Sequence, residues 1–166
     1  MRHPSRHHEV AQLAQRLGDQ LLQRRAKVAT AESCTGGAIA EAITAVPGSS
    51  QWFEYGYITY ANSAKHRLLG VETGVLERYG AVSEQVVQQM ALGAQKAAAA
   101  DYAVAVSGIA GPDGGTEDKP VGKLWLCWAG KSSVYSERFQ LDGDRLSVRE
   151  QAVEICLKQL LQQLDE

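Results

Sequence analysis

Hydrophobic residues recur with two different spacings along the chain, and each spacing predicts a different element. Apolar side chains in residues 10–22 fall every three or four positions, as in an amphipathic helix, at Val10, Leu13, Leu17, Leu21 and Leu22. Residues 27–31 form a short β-prone run instead, and a helical run over residues 38–43 follows, which Pro47 and Gly48 stop. We predict a helix, a strand and a second helix, with a turn between strand and helix.

The rest of the chain carries further runs of both kinds. They are a strand at 55–60, a short helix at 63–69, a long helix from Glu84 to about Ala100, a strand at 102–107, strands at 121–129 and 133–141, and a last helix with an apolar face from Leu146 to Leu164. Asn62, Ser83 and Asp144 are suitable N-caps for the three helices, and Gly70 can end the short one. The short helix therefore carries Lys65 in its first turn.

The order of these elements predicts the fold class. The last two strands meet at Gly130 and Lys131, a pair suited to a type II′ hairpin turn, so they should be antiparallel. Strands that alternate with helices before such a hairpin predict a three-layer α/β/α fold with a mixed, mostly parallel sheet. The 166 residues suffice for one domain over residues 9–166, preceded by a flexible tail at residues 1–8.

Charge and composition exclude several classes of protein. Lys and Arg total 17 against 19 Asp and Glu, a formal net charge of −2, and the basic residues are scattered, so nucleic acid is not an expected partner. No apolar run reaches the roughly 18 residues of a membrane span, and no apolar segment follows the basic start as a signal peptide requires. We expect a cytoplasmic protein that has no membrane partner.

Ser33 is the first candidate for chemistry, because the turn after the first strand exposes it. The free N–H groups and positive dipole of the following helix can stabilise an alkoxide or an oxyanion beside it. Serine is also a favoured helix cap, and the local pattern alone favours that role. Gly36 and Gly37 fit either role, and they would also let a phosphate approach the helix N-terminus.

A serine nucleophile needs a base, and the histidines supply one poorly. Three of the four lie at positions 3, 7 and 8, and the fourth is His66. Lys65 is the better candidate, since a partly buried lysine at the positive end of a helix is shifted toward its neutral form. Most lysines in short helices are simply solvated, however. His66, which points about 100° away from Lys65 on a helix, is a weaker alternative base.

Cys34 is the alternative nucleophile, helped by the same helix dipole. It ranks behind Ser33, because a side chain just after the turn more often faces the core and no second histidine can pair with it. Cys127 and Cys156 lie in apolar stretches and are expected in the core. The spacing of the three cysteines suits neither a disulfide framework nor a zinc site, so all three should be reduced thiols.

A second candidate segment is the Gly-rich loop over residues 108–115. It matches neither G-x-x-x-x-G-K-[S/T] nor G-x-G-x-x-G. Its backbone N–H groups can still face a phosphate or an oxyanion on the same sheet edge as Ser33, if the two strands are parallel. The alternative is a connection whose glycines only relieve strain. Arg145 and Arg149 can bind a phosphate or a carboxylate, although exposed arginines are usually only solvated.

Together these segments resemble the CinA C-terminal domain family. The resemblance runs from about Leu13 to the last helix and rests on residues 30–37, 48–50 with Trp52 and Phe53, 59–65, 80–83, 107–115 and 119–122. The family includes stand-alone nicotinamide mononucleotide deamidases, which implies hydrolysis of that nucleotide to nicotinate mononucleotide and ammonia in pyridine nucleotide salvage. It implies no metal or organic cofactor.

The resemblance also implies roles for individual residues. Ser33 would be the catalytic serine, Lys65 its partner lysine and Tyr60 a third catalytic residue, with an acyl-enzyme formed on the serine. The implied substrate-binding residues are Thr35, Gly36, Gly37, Gly108, Ala110, Gly111 and Arg145. Either the pair Gly36 and Gly37 or the Gly-rich loop would hold the oxyanion, and the other of the two would hold the phosphate. A non-catalytic nucleotide-sensing or protein-binding module linked to competence is the alternative function, and a homo-oligomer is a further possibility.

Overall fold

The computed structural model describes residues 4–165, which form α-helices and β-strands. In chain order they are α1 (Pro4–Arg24), β1 (Val28–Glu32), α2 (Ala38–Thr44), β2 (Phe53–Ile58), α3 (Asn62–Leu69), α4 (Thr73–Tyr79), α5 (Glu84–Ala98), β3 (Tyr102–Gly108), β4 (Lys123–Ala129), β5 (Val134–Gln140) and α6 (Arg145–Asp165). A short 3-10 helix at Ser49–Gln51 precedes β2. None of these helices is long and apolar enough to cross a membrane.

The five strands form one sheet in the order β2-β1-β3-β4-β5. β1 is parallel to both of its neighbours, and β4 is antiparallel to both β3 and β5. Four of the five strands therefore run in the same direction, which confirms the predicted α/β fold with a mixed, mostly parallel sheet. The strand order reverses between β1 and β3, and open α/β sheets bind ligands beyond the carboxyl ends of the strands at such a point.

Two apolar layers, one on each face of the sheet, hold the helices in place. The alternation of side chains along β1 sends Val28 into the layer under α1, α2 and α6, and Ala29 and Ala31 into the layer under α3, α4 and α5. The layers include Cys156 and Cys127 respectively, each with no exposed surface, as predicted for core thiols. Because β1 is buried on both faces, its position in the fold is fixed, and the residues that directly follow it are held at the edge of the sheet.

The N-terminal helix differs from its predicted extent. It begins at Pro4 rather than Val10, so residues 4–8, expected in a tail, are helical, while residues 1–3 of that tail lie outside the described residues. The reason is a tertiary contact that periodicity does not report. Arg6 Nε donates to Glu154 Oε2 of α6 at 3.1 Å, which holds the polar first turns of α1 against α6.

The predicted helix caps are right in two cases and wrong in one. Ser83 Oγ accepts from the N–H of Val86 at 3.2 Å, and Asp144 Oδ1 accepts from the N–H of Ser147 at 2.8 Å. Asn62 is the first residue of α3 and not its cap; the N-cap is Ala61, which makes no side-chain hydrogen bond there. Gly70 ends α3 in the left-handed conformation, as predicted.

The connection between β4 and β5 is also not the predicted one. The strands are antiparallel, but the N–H of Gly130 donates to the carbonyl of Ser133 at 2.8 Å, so residues 130–133 close the hairpin. Gly130 lacks the positive φ that a type II′ turn requires at its first central residue. The pairing was predictable from the two apolar runs, whereas the turn type was not.

Candidate active site

Ser33 lies directly after β1, at the point where the strand order reverses. Its N–H donates to the carbonyl of Val106 in β3 at 3.1 Å, which ties the turn to the neighbouring strand. Its side chain is 8% exposed, and its Oγ accepts a hydrogen bond from Lys65 Nζ at 3.1 Å. The helix-cap alternative is wrong, because α2 begins at Ala38 and its N-cap is Gly37. The Ser33 hydroxyl is therefore free for chemistry.

Lys65 extends from the first turn of α3 and is 1% exposed. Besides the bond to Ser33, its Nζ donates to the carbonyl of Tyr60 at 2.9 Å. No carboxylate of residues 4–165 forms an ion pair with it. Burial lowers the pKa of Lys65 below its ordinary value, and the nearby Cys34 opposes that shift without cancelling it. A lysine of this kind beside a serine oxygen is suited to act as a general base.

Tyr60 and Arg145 form a second hydrogen-bonded pair in the site. Tyr60 lies two residues beyond the end of β2, not within a strand as predicted, and it is 60% exposed. Arg145, the first residue of α6, donates to the carbonyl of Gly111 at 2.8 Å and to the hydroxyl of Tyr60 at 3.2 Å. Arg145 thus connects α6, the Gly-rich loop and the segment after β2.

These residues line an open cleft of about 260 Å³ beyond the carboxyl ends of β1 and β3. It brings together seven of the ten predicted site residues: Ser33, Tyr60, Lys65, Gly108, Ala110, Gly111 and Arg145. The Gly-rich loop lies on the same sheet edge as Ser33, because β1 and β3 are parallel. Asn62, Ser107 and Asp113 also line the cleft and were not among the predicted residues. Asn62 lies three residues before Lys65, Ser107 directly precedes the Gly-rich loop, and Asp113 lies within it. These positions beside predicted site residues could have identified all three.

The other three predicted residues, Thr35, Gly36 and Gly37, do not line this cleft. Thr35 is fully buried, and its hydroxyl donates to Glu32 Oε1 at 2.7 Å. The two glycines have φ values of 59° and 105°, which the tight turn into α2 requires and other residues rarely adopt. Their role in the structure is to shape the turn that carries Ser33.

The start of α2 is occupied by a side chain of the protein itself. Glu32, the last residue of β1, accepts from the N–H groups of Ile39 and Ala40 at 2.8 and 3.0 Å. The phosphate that the sequence allowed at this helix end would therefore meet a carboxylate. Sequence reasoning missed Glu32, because only the folded chain brings its side chain to α2.

The alternative nucleophile and the alternative base are both disfavoured, for different reasons. Cys34 also lines the cleft, but it is 6% exposed and packs in the apolar layer under α1, α2 and α6, where burial raises the pKa of its thiol to about 11 and so disfavours the thiolate. His66 is exposed outside the cleft, with its Nδ1 2.9 Å from the carbonyl of Val71. Arg149 donates to the carbonyls of Cys34 and Thr35 at 3.0 and 3.1 Å, so it supports the turn after β1.

Comparison with known proteins gives matches over nearly the whole chain. The family model for the CinA C-terminal domain matches residues 10–164. The nicotinamide-nucleotide amidohydrolase PncC of Pseudomonas putida is 58% identical over 153 residues, 92% of this chain and 96% of that protein. The protein of the same name from Escherichia coli (strain K12) is 52% identical over 156 residues, 93% of this chain and 94% of that protein. The crystal structure of the competence/damage inducible protein CihA from Agrobacterium tumefaciens has a TM-score of 0.92 at 41% identity and covers 95% of this chain and 96% of its own.

Proposed function

The chain belongs to the CinA C-terminal domain family, and on that premise we propose that it hydrolyses nicotinamide mononucleotide to nicotinate mononucleotide and ammonia. The observation that carries the proposal is the buried pair of Lys65 Nζ and Ser33 Oγ, 3.1 Å apart in the cleft. The relatives named nicotinamide-nucleotide amidohydrolase, at 52% and 58% identity, supply the substrate.

Acylation of Ser33 is the first half of the proposed reaction. The carbonyl of Tyr60 holds one N–H of Lys65, so the lone pair of the neutral amine can face Ser33. Lys65 takes the hydroxyl proton, and Ser33 Oγ attacks the carboxamide carbon to form a tetrahedral oxyanion. The protonated Lys65 gives its proton to the amide nitrogen, the carbon–nitrogen bond breaks, and ammonia leaves an ester on Ser33.

Hydrolysis of this ester completes the cycle. Neutral Lys65 takes a proton from a water molecule, and the resulting hydroxide attacks the ester carbon. The carbon–Oγ bond breaks, and Ser33 regains its proton from Lys65. One amide and one water give one carboxylic acid and one ammonia, with no oxidant or reductant involved.

The remaining cleft residues suit the two charged groups of this reaction. The N–H groups of Ala110 and Gly111 donate to no acceptor within residues 4–165 and are our candidates for holding the oxyanion. Among the described residues, Lys65 and Arg145 are the two basic side chains that line the cleft. Lys65 acts as the base, so we assign Arg145 to the phosphate. The Tyr60 hydroxyl accepts from Arg145, which leaves its own proton free for the substrate.

The decisive experiment measures ammonia release from nicotinamide mononucleotide by the wild type and three variants. We expect Ser33→Ala and Lys65→Ala to lose activity by about 10³-fold or more while staying folded. Cys34→Ala is the control, and its activity should persist because its thiol is not the nucleophile. Full activity in the serine variant would refute the proposal. Nucleotide binding without turnover by the wild type would favour a sensing module.

A further inference from the structure

Glu32 is a buried carboxylate that forms no ion pair within the described part of the chain. Its side chain is 1% exposed. A buried charge is costly unless hydrogen bonds satisfy it, and Glu32 receives three. Oε1 accepts from the Thr35 hydroxyl and the Ile39 N–H, and Oε2 accepts from the Ala40 N–H. The side chain therefore connects the end of β1 to the first turn of α2.

The backbone of the same residue connects β1 to a different part of the site. The carbonyl of Glu32 accepts from the N–H of Thr59 at 2.9 Å, one residue before Tyr60. Tyr60 in turn accepts the second hydrogen bond of Lys65, through its carbonyl. Glu32 is thus adjacent to the nucleophile in sequence and one hydrogen bond away from the segment that orients the base.

We propose that Glu32 is a positioning residue for the reaction, which holds Ser33 Oγ at 3.1 Å from Lys65 Nζ by fixing the turn between β1 and α2. The inference rests on the proposed function. Glu32 and Thr35 do not line the cleft, so neither touches the substrate. The rate of attack by Ser33 depends on Glu32, whereas binding of the nucleotide does not.

The matched change is Glu32→Gln, which keeps the shape and one oxygen acceptor but points an NH₂ group at a backbone N–H. Because a displacement of about 1 Å in a reacting group costs about 10²-fold in rate, we expect kcat to fall by about 10- to 100-fold. KM should stay within about twofold, since the cleft lining is unchanged. A purely structural role would lower the melting temperature and leave kcat unchanged at temperatures where the variant is folded.

Thr35 provides a second pair of variants that decides the question if Glu32→Gln does not fold. Thr35→Val removes the hydroxyl that donates to Glu32, and Thr35→Ser keeps it. We expect kcat to fall in the same direction for Thr35→Val and to lie closer to the wild type for Thr35→Ser. Equal kcat values in the two variants, or a folded Glu32→Gln protein with the wild-type kcat, would overturn the inference.

A fluorophosphonate probe separates this inference from the proposed function. The probe forms a phosphorus–oxygen bond to an activated serine and releases fluoride, so its reaction with Ser33 does not depend on the nucleotide. We expect labelling of Ser33 to be slower in Glu32→Gln and in Thr35→Val. If the wild type is labelled but releases no ammonia, the proposed substrate is wrong and the labelling rates alone decide the role of Glu32. A wild type that neither reacts with the probe nor releases ammonia would overturn both.

Discussion

Lys65 is buried and forms no ion pair with any carboxylate of residues 4–165. The free energy needed to charge it therefore controls how much of the protein is in the reactive form. Burial lowers the pKa of Lys65 from the ordinary value of 10.5, which increases the neutral fraction at any given pH. The serine proton can move only to the neutral amine. The same burial that places Lys65 beside Ser33 therefore prepares the base.

The first prediction concerns pH. We expect kcat/KM to rise with pH through the lowered pKa of Lys65 and to fall at lower pH, where the amine is protonated. Lys65→Arg keeps a positive charge but cannot lose its proton, so its activity should be lower by about 10³-fold at every pH. Initial rates across the pH range test both. A profile that rises as pH falls, or an active Lys65→Arg protein, would contradict the assignment of Lys65 as base.

The second prediction separates phosphate binding from loop support at Arg145. A hydrogen bond to a charged group contributes about 1.5–3 kcal/mol, so Arg145→Ala should raise KM for nicotinamide mononucleotide by about 10- to 100-fold. The effect on nicotinamide riboside, which lacks the phosphate, should be much smaller. Arg67→Ala, which removes an exposed arginine of α3 outside the cleft, is the control. An equal loss on both substrates would mean that Arg145 only supports Gly111 and Tyr60.

Sequence reasoning at this scale is most informative where the residue type itself limits the chemistry. The shortage of histidines directed attention to Lys65, and the structure places it against Ser33. Thr35 was expected at the substrate and is instead bonded to Glu32, because the turn rotates its side chain away from the cleft. A glutamate at the end of a strand resembles a solvated carboxylate in sequence, so the buried contacts of Glu32 with α2 could not be predicted.

At the scale of elements, the position of Lys65 depends on how closely α3 approaches α5. Gly93 in α5 makes that approach possible, since a Cβ at this position would lie 1.9 Å from the carbonyl oxygen of Leu69. Leu69 is the last residue of α3, one turn beyond Lys65. The obstruction is backbone, so α3 as a whole would have to move.

The third prediction follows from this contact. We expect Gly93→Ala to lower stability by about 1–3 kcal/mol, despite the better helix propensity of alanine, and to lower kcat because the displaced α3 carries Lys65. Gly74→Ala in α4 is the matched control, since nothing lies within 4 Å of its added Cβ. That variant should gain about 0.5–1 kcal/mol and keep its activity. Thermal unfolding and turnover measure both, and an active Gly93→Ala protein would disprove the coupling.

Hydrophobic spacing predicted most elements, because a helix or strand that packs on a core must repeat its apolar positions at a fixed interval. Helix α4 was missed, since its seven residues carry a single buried apolar side chain, Leu76. The start of α1 was missed for a related reason: its first turns are polar and are held by α6. The spacing of hydrophobic residues indicates burial against a core, but it gives no information on segments that polar contacts hold in place.

At the scale of the whole molecule, the site exists because the strand order reverses between two parallel strands. The order of the elements predicted the mixed sheet, and the motif order indicated the family that the match over residues 10–164 confirms. The sequence predicted that Ser33 and the Gly-rich loop share one sheet edge only if β1 and β3 are parallel. The sequence alone does not establish that pairing, which the structure shows. The cleft also needs Lys65 from α3 and Arg145 from α6, and no local pattern brings those two helices to it.

The last prediction tests whether the site and the core unfold as one unit. Leu157 in α6 is fully buried in the layer under α1, α2 and α6, and it lies about 18 Å along the helix from Arg145. Leu157→Ala should cost about 2–5 kcal/mol and lower the melting temperature by about 4–20 °C. Leu22→Ala, at a position 45% exposed on α1, should change stability by less than about 1 kcal/mol. Well below the melting temperature both variants should keep the wild-type kcat and KM.

The buried Trp52 and Trp128 report unfolding by fluorescence. Loss of activity should follow the same unfolding curve in every variant, because α6 joins the core to the cleft. Activity lost at a lower temperature than the fluorescence change would show instead that the cleft opens before the core.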